Sequence, residues 1–375
     1  MTTPKYSDVV SYATMDPFKV MAQQIAARTD GSIADTDYRV VPWSRGESVF
    51  LLEGHDHYLA HTEEGLGTLN AIPEAVTSYL DQLRLRQSDE QRLWEAIGQT
   101  NAAMIFNDMG SLGARLLSAA LHVAAGHGDW FKHEARTVGL FNGWQLACLL
   151  AKGVWGGGES STLRDVVMPG SAVLGGSAVG LIKPKERVIR PSVQAGDRII
   201  LVHSSGVHSN GITLIRDLLP LVGLKARLPS GQLFVEALLQ PTPIYVAAIQ
   251  ALLDAGIDIH YWSNITGHGW RKIMRAAMTE GLLYVIEHLP PSLEVFEFLQ
   301  AETGMTNEDI YSDYNMSAGA AAMVAPDQVQ HASDVLTQAG FRNTIAGHVE
   351  AGEEGTAVQI RPLNITFQAD TLQVR

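Results

Sequence analysis

Hydrophobic and polar positions alternate in short blocks along the chain, and each block predicts a strand or a helix. Apolar runs of strand length occupy residues 48–54, 57–62, 171–182 and 198–203. Apolar residues at helical spacing occupy residues 88–106, 142–155, 212–219 and 243–256. Because strands and helices alternate without a strict strand–helix–strand order, the pattern predicts an α/β protein built of α+β layers.

The pattern also divides the chain into two parts. A charged, proline-bearing segment at residues 183–197 separates two stretches that each contain strands and helices. A chain of 375 residues is long enough for two domains. We therefore expect domains at residues 1–186 and 187–375, with residues 358–375 adding a strand pair to the second.

Charge and composition narrow the classes of function. The net charge of −13 disfavours nucleic acid as a partner, and no uncharged apolar run reaches the roughly 18 residues of a membrane span. Cys148 is the single cysteine, which excludes an intrachain disulfide and is typical of a reducing compartment. The N-terminal segment lacks the basic and apolar regions of a secretory leader. A cytoplasmic protein without a membrane partner is the resulting expectation.

Histidines form two groups in the sequence, and neither has the ligand spacing of a zinc site. His55, His57 and His61 flank a turn between the first two predicted strands, where we interpret them as exposed histidines at strand ends. The second group lies in a stretch that we predict to be a polar loop: His122, His127 and His133.

The segment SSGVHSNGITLIRDLL at residues 204–219 has the layout of an anion site. It follows a predicted strand and begins an amphipathic helix, so its turn presents free backbone N–H groups. Capping the helix requires one polar side chain, either Ser209 or Asn210. The turn carries more than that, including an exposed and partly cationic His208, which favours a bound phosphate over a turn that only caps the helix. The candidate phosphate ligands are Ser205, His208, Ser209, Asn210 and Gly211.

Several segments in a fixed order resemble the phosphoribosylformylglycinamidine cyclo-ligase (aminoimidazole ribonucleotide synthetase) family. The C-terminal segments are residues 204–219, LLQPTPIYVAAIQALL (238–253), NITGHGW (264–270), VFEFLQ (295–300) and YNMSAGAAAMV (314–324). The N-terminal segments are EGLGT (64–68), FND (106–108) and GGGES (156–160). The resemblance covers roughly residues 6–350. It implies two α/β domains and a homodimer in which the N-terminal sheets join into a barrel, with ATP bound near the subunit interface.

The resemblance also implies a reaction and a set of site residues. ATP would phosphorylate the formyl amide oxygen of formylglycinamidine ribonucleotide, and an internal amine would then close the imidazole ring with release of phosphate. His208 and Asn264 would be catalytic. The residues implied to bind Mg²⁺ are Glu64, Asp108 and Glu159. The residues implied to bind ATP, together with the turn at residues 205–211, are Gly65, Gly67, Thr68, Asn107 and Thr266.

Taken by their residue types alone, these positions have simpler explanations. Glu64 and Glu159 could be solvated loop carboxylates, and Asn107 with Asp108 could end a helix.

Four positions depart from the pattern of the family. Glu64 stands where the first signature has aspartate, and Leu69 stands where it has lysine. Asn264 occupies a position at which cyclo-ligases carry histidine and sister families aspartate, and His268 replaces a glycine. These departures leave two alternatives open. One is a related enzyme that phosphorylates a different amide or carboxylate, and the other is a nucleotide-binding dimer without turnover.

Overall fold

The computed structural model describes residues 12–277, 281–353 and 355–371, so the outer ends of both predicted domains, residues 1–11 and 372–375, lie outside the described residues. The strands are β1 (Arg39–Val40), β2 (Phe50–Glu53), β3 (Tyr58–Gly65), β4 (Arg115–Ala125), β5 (Val154–Thr162), β6 (Ala172–Ile182), β7 (Arg198–His203), β8 (Ile259–Asn264), β9 (Leu282–Ile286), β10 (Ala318–Val324), β11 (Asn343–Ala351), β12 (Ala357–Ile360) and β13 (Ile365–Gln368). The helices are α1 (Tyr12–Ala27), α2 (Ala71–Thr77), α3 (Leu80–Leu83), α4 (Gln87–Gly110), α5 (Glu134–Ala151), α6 (Ile212–Val222), α7 (Phe234–Leu238), α8 (Tyr245–Asp254), α9 (Glu294–Thr303), α10 (Asn307–Asp313) and α11 (Val329–Gln338). Within these ranges, no helix combines the length and the apolar character that a membrane crossing requires.

The first half of the chain forms an open six-stranded sheet with strand order β1-β2-β3-β6-β4-β5. Along β3, Ala60 and Thr62 are buried while His61 and Glu63 are exposed, which is the alternation expected of a strand with one covered face. Helices α4 and α5 pack tightly together, and the indole of Trp144 on α5 contacts Phe106 on α4. The end of α4, which carries Asn107 and Asp108, therefore lies beside the sheet.

Three strands of this sheet were not expected from the sequence: the two-residue β1, and the strands β4 and β5. His122 lies in β4 rather than in a polar loop, and the glycine-rich stretch around Glu159 forms the edge strand β5. Helix α5 begins at Glu134. It ends at Ala151 because the next residue, Lys152, adopts a left-handed conformation with φ of 56°. The alanines of β4 and the glycines of β5 have weak strand preference, so pairing with the neighbouring strands overrides the local signal.

The second half forms a seven-stranded sheet with order β13-β12-β9-β11-β7-β10-β8. Strand β7 lies between β11 and β10, and its residues 199–202 are fully buried. Helices α8 and α11 pack against the face that presents Ile200 and Val202. The layered α/β fold class is confirmed, as is the C-terminal strand pair, formed by β12 and β13. The last strand of the first sheet ends at Ile182, and the first strand of the second sheet begins at Arg198. The predicted domain boundary after residue 186 lies between them and stays a prediction.

Asn107 fixes the two halves to each other. Its side-chain Oδ1 accepts hydrogen bonds from the backbone N–H groups of Tyr245 (2.6 Å) and Val246 (3.4 Å), and its Nδ2 donates to the carbonyl oxygen of Pro243 (2.9 Å). A residue at the end of α4 thus caps the start of α8. Because its oxygen and its amide both have protein partners, Asn107 does not have the free side chain expected of an ATP ligand.

Exposed apolar side chains on the outer face of the first sheet predict a homodimer. Leu117, Val173 and Val179 on this face are 44%, 53% and 42% exposed, and β5 has an unpaired edge. We expect light scattering at micromolar concentration to give twice the chain mass, and Val173→Glu with Val179→Glu to give a folded monomer. A wild-type monomer would contradict this expectation.

Candidate active site where the two halves meet

A polar cleft of about 540 Å³ lies where the two halves meet. The walls come from the strand β3, the last turn of α4, the loop before β2, and the 3-10 segment Gly269–Ala277. Carboxylates and cations both line the cleft, and the charged residues among the lining are Lys19, Glu47, Glu63, Glu64, Asp108, Lys272 and Arg275.

Glu64 and Asp108 form a carboxylate pair in this cleft. Glu64 lies at the end of β3 and Asp108 in the last turn of α4, and the two carboxyl groups are hydrogen-bonded to each other. Burial, together with the charge and hydrogen bond of Asp108, raises the pKa of Glu64 to about 8, although Lys272 and Arg275 act in the opposite direction. Two of the three predicted metal ligands therefore lie together, and Glu64 is protonated near neutral pH.

Glu159 does not join this pair within one chain. Glu64 pairs with Gly176 on β6, Gly176 with Leu121 on β4, and Leu121 with Gly158 on β5. Three strand spacings, about 14 Å, thus separate Glu159 from Glu64. Among the residues that the structure describes, no group of three histidine, cysteine or acidic side chains is placed to hold a metal. The predicted three-carboxylate site is therefore wrong for a single chain.

Asn264 at the end of β8 holds Asp108 in place. Its Oδ1 accepts a hydrogen bond from the indole N–H of Trp262 (2.9 Å), and its Nδ2 donates to Oδ1 of Asp108 (2.9 Å). The indole can only donate, so the orientation of the amide is fixed. Asn264 thus acts through Asp108, as a positioning residue rather than as the catalytic group expected from its place in the sequence.

The cations on the opposite wall were missed in the sequence. Lys272 and Arg275 are three residues apart in the 3-10 segment, which places them on the same side. Arg275 donates to Oγ of Ser48 (2.8 Å) and to the carbonyl oxygen of Gly46 (2.9 Å). Burial and the nearby Arg275 lower the pKa of Lys272 to about 8. The signal was present, because the stretch WRKIMR directly follows the segment NITGHG.

His268 also lines the cleft, but it carries no charge at neutral pH. Burial and the surrounding cations, Lys272 first among them, lower its pKa to about 3. Its φ of 73° places it in the left-handed region, where the family has glycine. Of the other histidines singled out in the sequence, His61 lines the cleft as an exposed residue, and His57 hydrogen-bonds Asp56 (2.8 Å).

The turn after β3 brings backbone rather than a cation to the cleft region. Gly67 has φ of 76°, in the left-handed region that favours glycine. Leu66 and Leu69 on either side of Gly67 and Thr68 are 1% and 2% exposed and belong to the core. Leu69 therefore does not present its side chain to the cleft.

The polar turn at residues 204–211 is buried, which corrects the expectation of an exposed, cationic His208. His208 is 4% exposed, and burial lowers its pKa to about 3, so its imidazole is neutral. Its Nε2 lies 3.4 Å from both the backbone N and the Oγ of Ser205. The N-cap of α6 is Gly211, with φ of 66°, and not Ser209 or Asn210. Asn210 donates instead to the carbonyl oxygen of Ile265 (3.4 Å).

Two hydroxyl groups of this turn keep their capacity for a ligand. The buried Oγ atoms of Ser204 and Ser209 have no hydrogen-bond partner among the described residues. A small cavity lined by His208, Asn264 and Thr266 lies behind Asp108, and Asp108 and Thr266 line the cleft as well. The predicted phosphate site at residues 205–211 stays a prediction, and these unpartnered hydroxyl groups are consistent with it.

The raised pKa of Glu64 predicts how stability depends on pH. The folded chain holds a proton on Glu64 up to about pH 8, whereas the unfolded chain releases it near the ordinary value of 4.5. The stabilisation is therefore complete below pH 4.5 and is lost as the pH rises through 8. Without divalent ions, urea denaturation between pH 5 and 9 should show the wild type losing at least about 1 kcal/mol more than Glu64→Gln. Parallel losses in the two proteins would show that Glu64 titrates normally.

Comparisons with known proteins identify relatives of this chain in sequence and in fold. Residues 194–359 match the family described as AIR synthase related protein, C-terminal domain. Phosphoribosylformylglycinamidine cyclo-ligase of Thermococcus kodakarensis is 30% identical over 84% of this chain and 85% of its own. The enzyme of that name from Pyrococcus furiosus is 29% identical over 79% of this chain and 81% of its own.

Solved structures share the fold at lower identity. Hydrogenase maturation protein HypE matches with a TM-score of 0.56 and 15% identity, over 72% of this chain and 81% of its own. Thermotoga maritima PurL complexed with ADP matches with a TM-score of 0.55 and 12% identity, over 87% of this chain. This chain spans 46% of that longer protein. With the ordered segments, the two-sheet fold and a relative at 30% identity over most of both chains, the protein belongs to the phosphoribosylformylglycinamidine cyclo-ligase family.

Proposed function

We propose that the protein is an ATP-dependent ligase that closes the imidazole ring of aminoimidazole ribonucleotide from formylglycinamidine ribonucleotide, with ADP and phosphate as the other products. The relatives named for this activity support the reaction. Solved relatives of the fold complexed with ADP or ATP support nucleotide binding. The observation that carries the proposal is the pair Glu64 and Asp108 facing Lys272 and Arg275 across one cleft.

The carboxylate pair suits Mg²⁺. Burial and the neighbouring Asp108 raise the pKa of Glu64, and a bound cation would offset the negative charge that raises it. Proteins bind Mg²⁺ with one or two carboxylates, while water and substrate phosphates complete the octahedron. Glu64 and Asp108 would hold the ion. When bound, Mg²⁺ would neutralise the charge that develops on the transferring phosphoryl group.

The residues of this chain then divide the remaining tasks. Asn264 keeps Asp108 oriented through its own fixed amide. The turn at Gly65 and Gly67 lets backbone approach the nucleotide closely. The neutral imidazole of His208 and the free hydroxyl groups of Ser204 and Ser209 would orient the ribonucleotide phosphate by hydrogen bonds rather than by charge.

The proposal includes a homodimer in the cytoplasm. The exposed apolar side chains on the outer face of the first sheet support the dimer. The free, buried thiol of Cys148 is compatible with a reducing compartment.

A product assay tests the reaction. The purified chain is incubated with Mg·ATP, with and without formylglycinamidine ribonucleotide, and both phosphate and the aminoimidazole product are measured. We expect phosphate and imidazole to appear in equal amounts and only with the ribonucleotide. Release of phosphate without imidazole under these conditions would contradict ring closure.

A second candidate is a relative that phosphorylates a different amide or carboxylate. Asn264, which stands where cyclo-ligases carry histidine, favours it, because its amide already has two partners and cannot transfer a proton. Phosphate release that requires another acceptor would support this candidate. Tight binding of Mg·ATP with no turnover for any acceptor would indicate a nucleotide-binding dimer.

A further inference from the structure

Lys272 is a half-buried cation that no protein group neutralises at close range. Its ammonium forms no hydrogen bond and no ion pair within 4.0 Å with any residue in the described ranges, although it lines the cleft. Arg275 lies on the same side and instead donates hydrogen bonds to Ser48 and Gly46. The backbone of Lys272 is fixed, since its carbonyl oxygen accepts a hydrogen bond of 2.7 Å from Oγ of Ser263 on β8. The side chain is thus held in the cleft by its backbone while its charge is free to meet a ligand.

The turn after β3 supplies no equivalent cation. The signature turn after β3 carries Leu69 where the resembling family has lysine, and Leu69 is packed in the core at 2% exposure. The positive charge of the cleft therefore comes from the segment Gly269–Ala277, on the opposite wall, and from Lys19 on α1.

The arrangement of charges matches a metal–polyphosphate group. The charges of Glu64 and Asp108 across the cleft act to raise the pKa of Lys272. Its ammonium nevertheless lies too far from both carboxylates for an ion pair. A cation held by the two carboxylates would leave phosphate oxygens between it and Lys272. Such a cation would neutralise part of the charge on the phosphates of a nucleotide. A lysine on the far side meets the same oxygens as a point charge.

We propose that Lys272 binds the terminal phosphate of a nucleoside triphosphate in this cleft, and so supplies from the second half of the chain the cation that Leu69 cannot supply from the first. This inference rests on the proposed function for the identity of the nucleotide. The ligand chemistry it requires, a magnesium-bound polyphosphate, can also be tested without a nucleoside.

Calorimetric titration of the full chain tests the proposal. The ligands are Mg·ATP, Mg·ADP and magnesium tripolyphosphate, and the proteins are the wild type, Lys272→Met and Lys272→Gln. The matched control is Lys225→Met, which removes a lysine that lies outside the cleft lining. Far-UV circular dichroism and the melting temperature of each variant without ligand establish that it is folded. The two neutral variants differ in polarity, so a loss common to both reports the charge.

We expect both Lys272 variants to bind Mg·ATP about 10- to 100-fold more weakly than the wild type, with a smaller loss for Mg·ADP, because a charge-assisted hydrogen bond to the terminal phosphate is removed. Lys225→Met should match the wild type. Equal affinity for Mg·ATP in the wild type and in either folded Lys272 variant would overturn the inference but not the proposed function. A wild type that binds magnesium tripolyphosphate in a Lys272-dependent manner, but not Mg·ATP, would overturn the proposed function and keep Lys272 as a phosphate ligand. A wild type that binds neither would overturn both.

Discussion

The Asp108→Ala variant should lose ATP-dependent turnover by about 1,000-fold while remaining folded. Asp108 hydrogen-bonds Glu64 and accepts from Asn264, so its removal leaves Glu64 as a single carboxylate facing the cations of the cleft. The ion that offsets phosphate charge would lose a ligand, and Asn264 would lose the group it positions. Phosphate release at saturating nucleotide measures the effect on turnover, and calorimetry measures the affinity for Mg·ATP.

The control for this variant is Asp81→Ala, which removes an exposed carboxylate of α3 that does not line the cleft. It should retain wild-type turnover. Unchanged nucleotide affinity in Asp108→Ala and also in Glu64→Ala would show that the carboxylate pair is not the metal site.

The Gly143→Ala variant should lose about 3 kcal/mol of unfolding free energy. Helices α4 and α5 touch backbone to backbone, and a Cβ atom at Gly143 would overlap the carbonyl oxygen of Glu95. Gly98 faces α5 in the same way, because its Cβ would overlap the carbonyl oxygen of Leu140. Backbone cannot rotate aside as a side chain can, so the helices would have to separate. Urea denaturation at fixed pH measures the change.

Gly31→Ala is the matched control for this substitution. A Cβ at Gly31 meets no atom within 4 Å, so the change should stay within about 0.5 kcal/mol. If Gly143→Ala and Gly31→Ala unfold at the same urea concentration, the close packing of α4 on α5 does not contribute to stability as described.

The parts of the fold that the sequence predicts are those with strong local signals. The run RIILVH is apolar at each central position, and it forms the buried strand β7. The helix that follows has apolar residues at helical spacing, and α6 begins at Ile212 as expected. Strand β5 has no such signal, because its glycines bury no side chains and its pairing with β4 is decided by distant residues.

The residues of the candidate site differ in the same way, since some have a local sequence signal and others depend on distant parts of the chain. Glu64 and Asp108 are recognisable from short ordered segments, since each lies at the end of an element that brings it to the cleft. The burial of His208 was not predictable, because its environment is created by Tyr245 from a helix far along the chain. Glu159 was misplaced for a related reason, since only the strand order reveals that three spacings separate it from Glu64.

Asn107 and Asp108 are consecutive, and this adjacency limits how the enzyme can open. Asn107 caps α8 across the junction, so moving the second half away would expose the first amide groups of that helix, at a cost of about 1–2 kcal/mol. The same movement would also displace the last turn of α4, which carries Asp108. The hydrogen bonds of Asn107 therefore couple any separation of the two halves to the position of Asp108.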